Sequence, residues 1–171
     1  MGFNNYINIV RHYIPILFRS IHMKLISHRG NISKPIPNAE NNPAYITDAL
    51  NAGYDCEVDV WYIDNEFWLG HDKPVHPMKG SRFIEDPRLW CHAKNLEALR
   101  IMLNLKVQCF WHQDDDYTVT NTGWIWAYPN KPGNIRTIAV MPEIEDTDVS
   151  GFGGVCSDYI ERYRDVASVN I

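Results

Sequence analysis

The stretch that decides the fold begins with Lys24-Leu25-Ile26-Ser27-His28-Arg29-Gly30 and ends with Asp55-Cys56-Glu57-Val58-Asp59-Val60-Trp61-Tyr62. Both runs are strand-like. Between them, Asn42 and Pro43 are typical of a helix start and Gly53 is typical of a helix end. A strand, a helix and a second strand in this order indicate a parallel sheet with right-handed crossovers. We therefore predict a parallel β-α-β unit over residues 24–62.

Further strand-like runs follow along the chain, and their spacing limits the architecture. They cover residues 67–69, 89–93, 107–111, 124–128, 137–141 and 154–157, and a second helix begins at Asn95 with Leu96, Leu99, Met102 and Leu103 on its apolar face. The later strands leave little room for crossover helices, which need about a dozen residues, and a complete eight-fold barrel takes ~250 residues. We therefore predict an α/β fold, a barrel-like parallel sheet over residues 24–171 that is reduced or degenerate in its second half, where most outer helices are lost. Strands without outer helices expose apolar backs, so a homodimer that covers them is a further expectation.

The charge balance and the cysteines narrow the class of protein. A net charge of −5 over 171 residues disfavours a general nucleic-acid-binding surface, so we expect no nucleic-acid partner. The four cysteines are scattered without a Cys-x-x-Cys pair, which favours buried reduced thiols over disulfides or a zinc site. Reduced thiols indicate a reducing compartment, and we therefore expect a cytoplasmic location.

Residues 1–23 form an N-terminal extension that differs from the rest of the chain. Apolar residues recur there at helical spacing, the charged residues are basic, and Pro15 would break or kink a helix. The apolar run is far shorter than the ~20 residues that cross a bilayer, and we identify no signal peptide. Three interpretations stay open: an amphipathic helix that makes peripheral membrane contact, a helix packed on the domain, and an extension ahead of an older start at Met23.

Two carboxylates on the second strand indicate a cation. Side chains two positions apart on a strand share a face, so Glu57 and Asp59 point one way while Cys56, Val58 and Val60 point into an apolar layer. Neighbouring carboxylates repel each other unless a cation lies between them, and hard oxygen ligands suit Mg²⁺ or Ca²⁺. The alternative is a surface pair on a half-exposed strand.

Basic residues stand where strand-like runs end. His28 and Arg29 follow the first strand, and His71 follows the short third run beside Asp72. Arginine has a planar fork that matches phosphate oxygens, and histidine exchanges a proton near neutral pH. Because such strand ends form the sites of parallel sheets, two histidines there could divide acid–base work between a nucleophile and a leaving oxygen. A structural role for either histidine is the alternative.

This ordered set of motifs resembles the glycerophosphodiester phosphodiesterase family. The resemblance rests on His28-Arg29-Gly30, on Pro37 and Glu40-Asn41 before the helix, on Glu57-Val58-Asp59, on Gly70-His71-Asp72 and, more weakly, on the Ser157-Asp158 pair at the last strand. It implies a TIM-type barrel that cleaves a phosphodiester with the help of Mg²⁺ or Ca²⁺. By the same resemblance, His28 and His71 are the catalytic acid–base pair, Arg29 binds phosphate, and Glu57 and Asp59 hold the metal.

The third principal strand departs from the family pattern. Where the family has Glu-x-Lys, this chain has His92-Ala93-Lys94, so His92 takes the place of a metal-binding carboxylate and Lys94 keeps the position that faces phosphate. Imidazole suits Mn²⁺, Zn²⁺ or Fe²⁺ better than Ca²⁺. Three outcomes stay open: a softer metal, weaker Mg²⁺ binding and lost hydrolytic activity.

Other strand ends offer candidates for substrate binding. Trp126 shares a strand face with Trp124 and Tyr128, and this aromatic group either forms a wall for a sugar or alcohol group or fills the barrel. Glu143 follows a later strand and could bind substrate hydroxyls. We expect the acidic run 114–116 to be a solvated loop.

Together these patterns predict a metal-dependent hydrolase that acts on a small glycerophosphodiester-like substrate by His/His acid–base catalysis. Two alternatives remain open. A non-catalytic barrel would bind a phosphorylated head group or a polysaccharide. A membrane-associated lipid phosphodiesterase would use residues 1–22 to reach its substrate.

Overall fold

The computed structural model describes residues 23–79 and 82–169. The predicted amphipathic segment and its membrane contact, residues 1–22, lie outside the described residues. Within the described ranges, none of the helices combines the length and the apolar character that a membrane crossing requires.

The described chain contains ten strands and three α-helices. The strands are β1 (Lys24–His28), β2 (Asp55–Ile63), β3 (Glu66–Leu69), β4 (His76–Pro77), β5 (Leu89–Ala93), β6 (Cys109–Phe110), β7 (Tyr117–Val119), β8 (Ile125–Ala127), β9 (Thr137–Val140) and β10 (Gly154–Ser157). The helices are α1 (Pro43–Asn51), α2 (Leu96–Asn104) and α3 (Arg164–Val169), and three short 3₁₀ turns cover Phe83–Glu85, Pro142–Ile144 and Ile160–Tyr163.

One mixed sheet organises the molecule. Parallel pairings join the strands in the order β6-β5-β2-β1-β10-β9-β8, while β3 runs antiparallel along the end of β2 and β7 runs antiparallel to β8. The sheet curls around an interior apolar cluster that receives one side chain from each of six parallel strands: Ile26, Trp90, Phe110, Trp126, Ile138 and Cys156. The predicted α/β class is confirmed in the form of a half-barrel. Residues 23–79 and 82–169 do not show a closed TIM barrel.

The opening of the half-barrel lies between β6 and β8. The edge of β8 that would pair in a closed barrel is taken by β7, and β6 contains two residues rather than the five predicted over 107–111. The side chain of Asn121 bridges this gap, because its Oδ1 accepts from the N–H of Cys109 at 2.9 Å and its Nδ2 donates to the carbonyl of Val107 at 2.7 Å. An amide side chain therefore replaces part of a strand ladder at this edge.

The outer face of the first half is covered by α1 and α2, as predicted. Cys56, Val58 and Val60 project into this apolar layer with Ile46 and Met102, which confirms the predicted alternation along β2. All four cysteines are free and buried, which confirms the expected burial of these thiols. The second half lacks comparable outer α-helices up to β10 within the described residues, as the strand spacing predicted.

The predicted apolar face of α2 is wrong in two positions. Leu96 is 72% exposed and Leu103 is 46% exposed, whereas Ala98 and Met102 are the buried residues of this helix. The reason lies at its start, where the Asn95 side chain caps Ala98 and also bonds the backbone N–H and C=O of Tyr62 on β2. This double anchor sets the rotation of the helix about its axis.

The apolar back of the second half is covered within the chain itself. Val149 and Ile160, with Phe152 and Tyr163 beside them, pack over Ala139 and Val155 in one apolar cluster. A homodimer was expected to cover exposed strand backs, but the backs of β9 and β10 are already covered by these residues. The homodimer itself stays a prediction.

Candidate functional site

The turn after β1 shapes the centre of the site. Arg29 has a φ of 54° and Gly30 a φ of 95°, so the chain turns sharply after His28. A Cβ atom at position 30 would lie 2.6 Å from Cδ1 of Tyr45, so only glycine combines this φ with this close approach. The Arg29 N–H still donates to the Glu57 carbonyl at 3.0 Å, which ties the turn to β2.

Three side chains of a possible metal centre lie together on β2 and β5. Glu57 and Asp59 share one face of β2, and His92 on β5 is the register partner of Asp59. The three residues are buried, and their ligand atoms lie within 4.8 Å of one another. The structure therefore brings together the three predicted metal ligands.

Asp59 is surrounded by donors. Its Oδ2 accepts from Asn41 Nδ2 at 2.9 Å and pairs with Arg29 Nε at 2.9 Å, while its Oδ1 lies 3.1 Å from His92 Nδ1 and 3.5 Å from Lys94 Nζ. Burial raises the pKa of this carboxyl, but the His92 hydrogen bond and the Arg29 charge outweigh it and hold the pKa well below its usual range. Asp59 is therefore ionised.

Glu57 has a contrasting environment. Its Oε2 is buried and has no hydrogen-bond partner among the described residues, and the nearest basic atom recorded for it is His28 Nε2 at 3.9 Å. Burial and then the charge of Asp59 raise the pKa of this carboxyl. A buried carboxylate oxygen without a partner is costly unless a proton or a cation compensates it.

The hydrogen-bond partners of His92 also require an additional proton or a cation at this site. Its Nδ1 faces the Asp59 carboxylate and its Nε2 lies 3.4 Å from the carbonyl of His112, so both ring nitrogens face acceptors. A neutral imidazole carries one proton and cannot satisfy both. The ring is therefore either an imidazolium or a neutral ligand whose lone pair shares a cation with the carboxylates. With the free oxygen of Glu57, this donor set fits a divalent ion of the kind that accepts both oxygen and imidazole ligands.

His28 is paired with a residue from the other end of the chain. Its Nδ1 lies 2.7 Å from Asp158 Oδ1, and Asn31 Nδ2 donates to the same oxygen at 2.8 Å. Burial lowers the pKa of His28, but the Asp158 hydrogen bond and the Glu57 charge outweigh it, so the pKa is raised above its usual value. Because a carboxylate accepts at Nδ1, that nitrogen carries the proton and Nε2 is left to face Glu57 and the cavity.

His71 lies at the mouth of the site. Gly70 has a φ of 148°, its N–H donates to the Asp59 carbonyl at 3.1 Å, and its carbonyl accepts from Trp61 Nε1 at 2.6 Å. These hydrogen bonds of Gly70 hold His71 at the edge of β2. The His71 side chain is 43% exposed, and its Nδ1 lies 2.7 Å from Oδ1 of its neighbour Asp72.

A cavity of about 260 Å³ connects these groups. One wall consists of ionisable residues: His28, Arg29, Glu57, His71, His92 and His112. The facing wall is largely apolar: Trp126, Tyr128, Pro129, Val140, Met141 and Ile144, with Thr118 and Asp115 beside them. The cavity therefore brings both predicted catalytic histidines and the predicted phosphate-binding arginine to one space.

The remaining predicted residues have different positions. Lys94 lines an adjacent pocket rather than the main cavity and is directed at Asp59. Glu143 does not line the cavity, and its Oε1 accepts from the Asp158 N–H at 3.1 Å. Trp126 combines the two open alternatives, because it lines the cavity and also packs 4.7 Å from Phe110 in the barrel interior. The acidic run 114–116 is exposed, as expected.

Four contributors received no specific role from the sequence, although Glu40, Asn41 and Asp158 stand among the residues that carry the family resemblance. Asp158 and Asn41 orient His28 and Asp59, Glu40 accepts from Arg29 Nη1 at 3.2 Å, and the His112 ring stacks on His92 at 4.4 Å. Burial and then the neighbouring His92 lower the pKa of His112. Asp158 and His112 do follow strand ends, which is the signal that could have identified them.

Comparisons with known proteins do not assign the chain to a family. No protein-family model, curated protein or solved structure matches it. The resemblance to glycerophosphodiester phosphodiesterases stays a prediction.

Proposed function

We propose that this chain is a divalent-metal-dependent phosphodiesterase that acts on a glycerophosphodiester-like substrate. The observation that carries the proposal is the convergence of an oriented histidine, an arginine and two members of a buried carboxylate–histidine trio, Glu57 and His92, on one cavity, with the third member, Asp59, directly behind them. On this proposal the half-barrel is a reduced TIM-type barrel, and the cavity lies where parallel strands end, as in that fold.

The charges of the cavity favour a phosphodiester together with a cation. Glu57 and Asp59 would repel an anionic phosphate on their own, so a positive ion between them and the phosphate removes the conflict. The proposed ligands are Glu57, Asp59 and His92, with Mg²⁺ or Ca²⁺ suited to the carboxylates and Mn²⁺ or Zn²⁺ suited to the imidazole. When bound, the ion would neutralise charge that develops on the phosphoryl oxygens.

Arg29 is the group that would hold the phosphate. Its guanidinium is kept at the cavity by Glu40 and Asp59, and it lines the cavity wall. Burial lowers the pKa of Arg29, but the Asp59 charge outweighs it, so the guanidinium remains charged. A fixed fork can receive phosphate oxygens without large rearrangement.

His28 and His71 would share the proton transfers. Asp158 fixes the Nδ1 proton of His28, so Nε2 accepts the proton of the attacking hydroxyl while the new O–P bond forms. His71 at the mouth then protonates the oxygen of the departing alcohol as its P–O bond breaks. If the chemistry of the family applies, the attacking hydroxyl belongs to the substrate and a cyclic phosphate forms first.

A panel of glycerophosphodiesters with Mg²⁺, Ca²⁺, Mn²⁺ and Zn²⁺ tests the proposal. Turnover should require one of these ions, and His28→Ala and His71→Ala should each lose ~10²–10⁴-fold in rate. Asp64→Asn is the control, because Asp64 is exposed in the β2–β3 turn with a φ of 51° that asparagine adopts readily. Unchanged turnover in either histidine variant would refute the assignment.

One observation favours a second candidate, a non-catalytic phosphate-binding protein. Asp59 already pairs with Arg29 and Lys94 and contacts the His92 ring, so the trio can exist without a metal. This candidate predicts that phosphomonoesters bind in the presence of a chelator and that no tested metal supports turnover.

A further inference from the structure

The apolar wall of the cavity is built from the ends of β8 and β9. Trp126 lies in β8 with Tyr128 just beyond it, Val140 ends β9, and Met141 and Ile144 belong to the turn that follows. Tyr128 is 58% exposed and Ile144 is 60% exposed, although both line the cavity. Large apolar side chains at a mouth gain free energy when a ligand covers them.

The backbone at Met141 supports a role for this wall. Met141 has a φ of 47° and a ψ of 48°, a left-handed conformation that is unusual for a non-glycine residue. The conformation is held because its N–H donates to the Cys156 carbonyl at 2.8 Å. Strained residues of this kind concentrate at ligand sites, and this one presents its side chain to the cavity.

A negatively charged residue beside the apolar wall limits which ligand groups can bind there. Asp115 lines the cavity beside Thr118 and is exposed. A second phosphate or a carboxylate on the ligand would meet this carboxylate. The wall therefore disfavours an anionic group, and its apolar side chains suit an apolar one.

A second, polar groove of about 420 Å³ adjoins the cavity at Arg29 and His71. Arg29 and His71 line both spaces. The groove is otherwise mostly polar: Asn38, Glu40, Asn41, Asp72, Lys73 and His76, with Pro37 and Val75 at its side. These side chains offer donors and acceptors to hydroxyl groups.

We infer that the substrate is an asymmetric phosphodiester with an uncharged apolar arm and a hydroxyl-bearing arm. This inference rests on the proposed function, because it takes Arg29 and His71 as the position of the phosphate. The apolar arm lies against Tyr128, Met141 and Ile144 in the cavity, and the hydroxyl-bearing arm lies in the groove beside Asn38 and Lys73. An aryl alcohol and an alkyl alcohol share this apolar chemistry, and the test separates them.

The test compares four diesters of glycerol phosphate whose second alcohol is ethanol, phenol, octanol or choline. With the most active metal, kcat/KM for the phenyl or octyl diester should exceed that of the ethyl diester ~10-fold or more. Preference for phenyl identifies an aryl arm, and preference for octyl identifies a lipid-like arm. A choline diester that is preferred to both, or equal values for all four, would overturn the inference.

Variants assign the preference to the wall. Tyr128→Ala and Ile144→Ala should each reduce the preference for the phenyl or octyl diester over the ethyl diester at least ~3-fold. Leu96→Ala is the matched control, because Leu96 is an exposed apolar residue on α2. For the other arm, Lys73→Ala should reduce the advantage of a glycerol diester over a methyl diester. A preference that survives in both wall variants contradicts the inference.

Equilibrium binding separates the inference from the proposed function. The four diesters are titrated calorimetrically into His28→Ala protein, in which turnover should be reduced ~10²–10⁴-fold, and the dissociation constants should follow the same order as kcat/KM. Ordered affinities without turnover in the wild-type protein would refute the phosphodiesterase and leave the two-arm site standing. Turnover with equal affinities would refute the two-arm site alone, and neither binding nor turnover would refute both.

Discussion

Nδ1 of His28 lies 2.7 Å from Oδ1 of Asp158, although the two residues are 130 positions apart in the chain. The contact arises because β1 and β10 are parallel neighbours whose register pairs Ser27 with Ser157. The next residue of each strand therefore falls at the same edge of the sheet. The proposed acid–base role of His28 thus depends on both ends of the described domain.

Asp158→Asn should reduce turnover ~10²-fold or more while leaving the fold intact. The amide has the shape of the carboxylate but no negative charge. It therefore neither holds the proton on His28 Nδ1 as the carboxylate does nor stabilises the imidazolium. The pH–rate profile and an NMR titration of His28 check this, and the pKa of His28 should fall in the variant. Asp64→Asn serves as the control for an aspartate-to-asparagine change. A shift in stability with an unaltered pH–rate profile would assign Asp158 a structural role only.

In metal-free protein, the His28–Asp158 pair should make the free energy of unfolding depend on pH. The pKa of His28 is raised in the folded state, so the folded protein binds more protons than the unfolded chain in the window above the ordinary value of 6.5. The stabilisation is complete below that value and is lost as pH rises through the folded pKa. Urea unfolding between pH 5 and 9 measures it, and the loss should be smaller in Asp158→Asn. Equal slopes in the two proteins would contradict the assignment.

In the absence of metal, isosteric replacement of the two carboxylates of β2 should change the free energy of unfolding by very different amounts. Asp59→Asn leaves Arg29 and Lys94 without their buried counter-charge and should cost about 3 kcal/mol at pH 7. Glu57→Gln removes a carboxylate whose pKa is raised by burial and by Asp59, so it should cost little or stabilise. Denaturation midpoints with a chelator check both changes, and both variants should lose tight divalent-ion binding.

The pH dependence of the Asp59 contribution has a defined direction. The pKa of Asp59 is lowered on folding, so its contribution is present above the unfolded value and falls as pH drops below about 4. The difference in unfolding free energy between wild type and Asp59→Asn should therefore shrink between pH 5 and pH 3. A difference that stays constant over this range would show that Asp59 is not the ionised centre of the cluster.

Gly30→Ala should be more damaging than Gly53→Ala, which provides a matched pair. Both glycines have positive φ values, 95° and 90°, but a Cβ at position 53 meets no atom within 4 Å, whereas at position 30 it would lie 2.6 Å from Tyr45 Cδ1. We expect about 1 kcal/mol for Gly53→Ala from backbone strain, and at least about 1 kcal/mol more for Gly30→Ala. Thermal unfolding measures both. Equal losses would mean that Tyr45 moves aside without cost.

His92→Glu should shift metal preference from Mn²⁺ or Zn²⁺ toward Mg²⁺. The change replaces an imidazole ligand by a hard carboxylate beside Glu57 and Asp59, and such oxygen sets suit Mg²⁺. Calorimetric titration with each ion compares the affinities independently of turnover, and Arg100→Ala on the exposed face of α2 is the control. Unchanged affinities for all ions would remove His92 from the ligand set.

Much of the site was predictable because it follows from local periodicity. Successive side chains of a strand alternate, so Glu57 and Asp59 could be assigned to one face and Val58 and Val60 to the other, as the structure has them. The strands over 89–93 and 154–157 were predicted at their observed bounds. His28 was predicted at a strand end for the same reason, since polar residues there interrupt an apolar run.

The partners of these residues could not be predicted from the same information. Asn41 bonds Asp59 across 18 positions because its φ of 60° turns the chain back toward β2 just before α1. The rotation of α2 is set by the bonds of Asn95 to Tyr62 rather than by the helix's own apolar pattern. Both depend on contacts between elements, which the pattern within one element does not encode.

The sequence by itself determined the order of eight strands and of α1 and α2, the reduced second half and the face on which the β2 carboxylates lie, because these depend on spacing and alternation within short stretches. It did not indicate β4, β7 or α3. Only the tertiary structure decided that β7 takes the edge of β8 and leaves a half-barrel, that Asp158 orients His28, and that an apolar wall faces the ionisable one. The physical reason is that these features depend on strand register and on the curl of the sheet. Register and curl bring together side chains that lie more than a hundred positions apart, as in the His28–Asp158 pair.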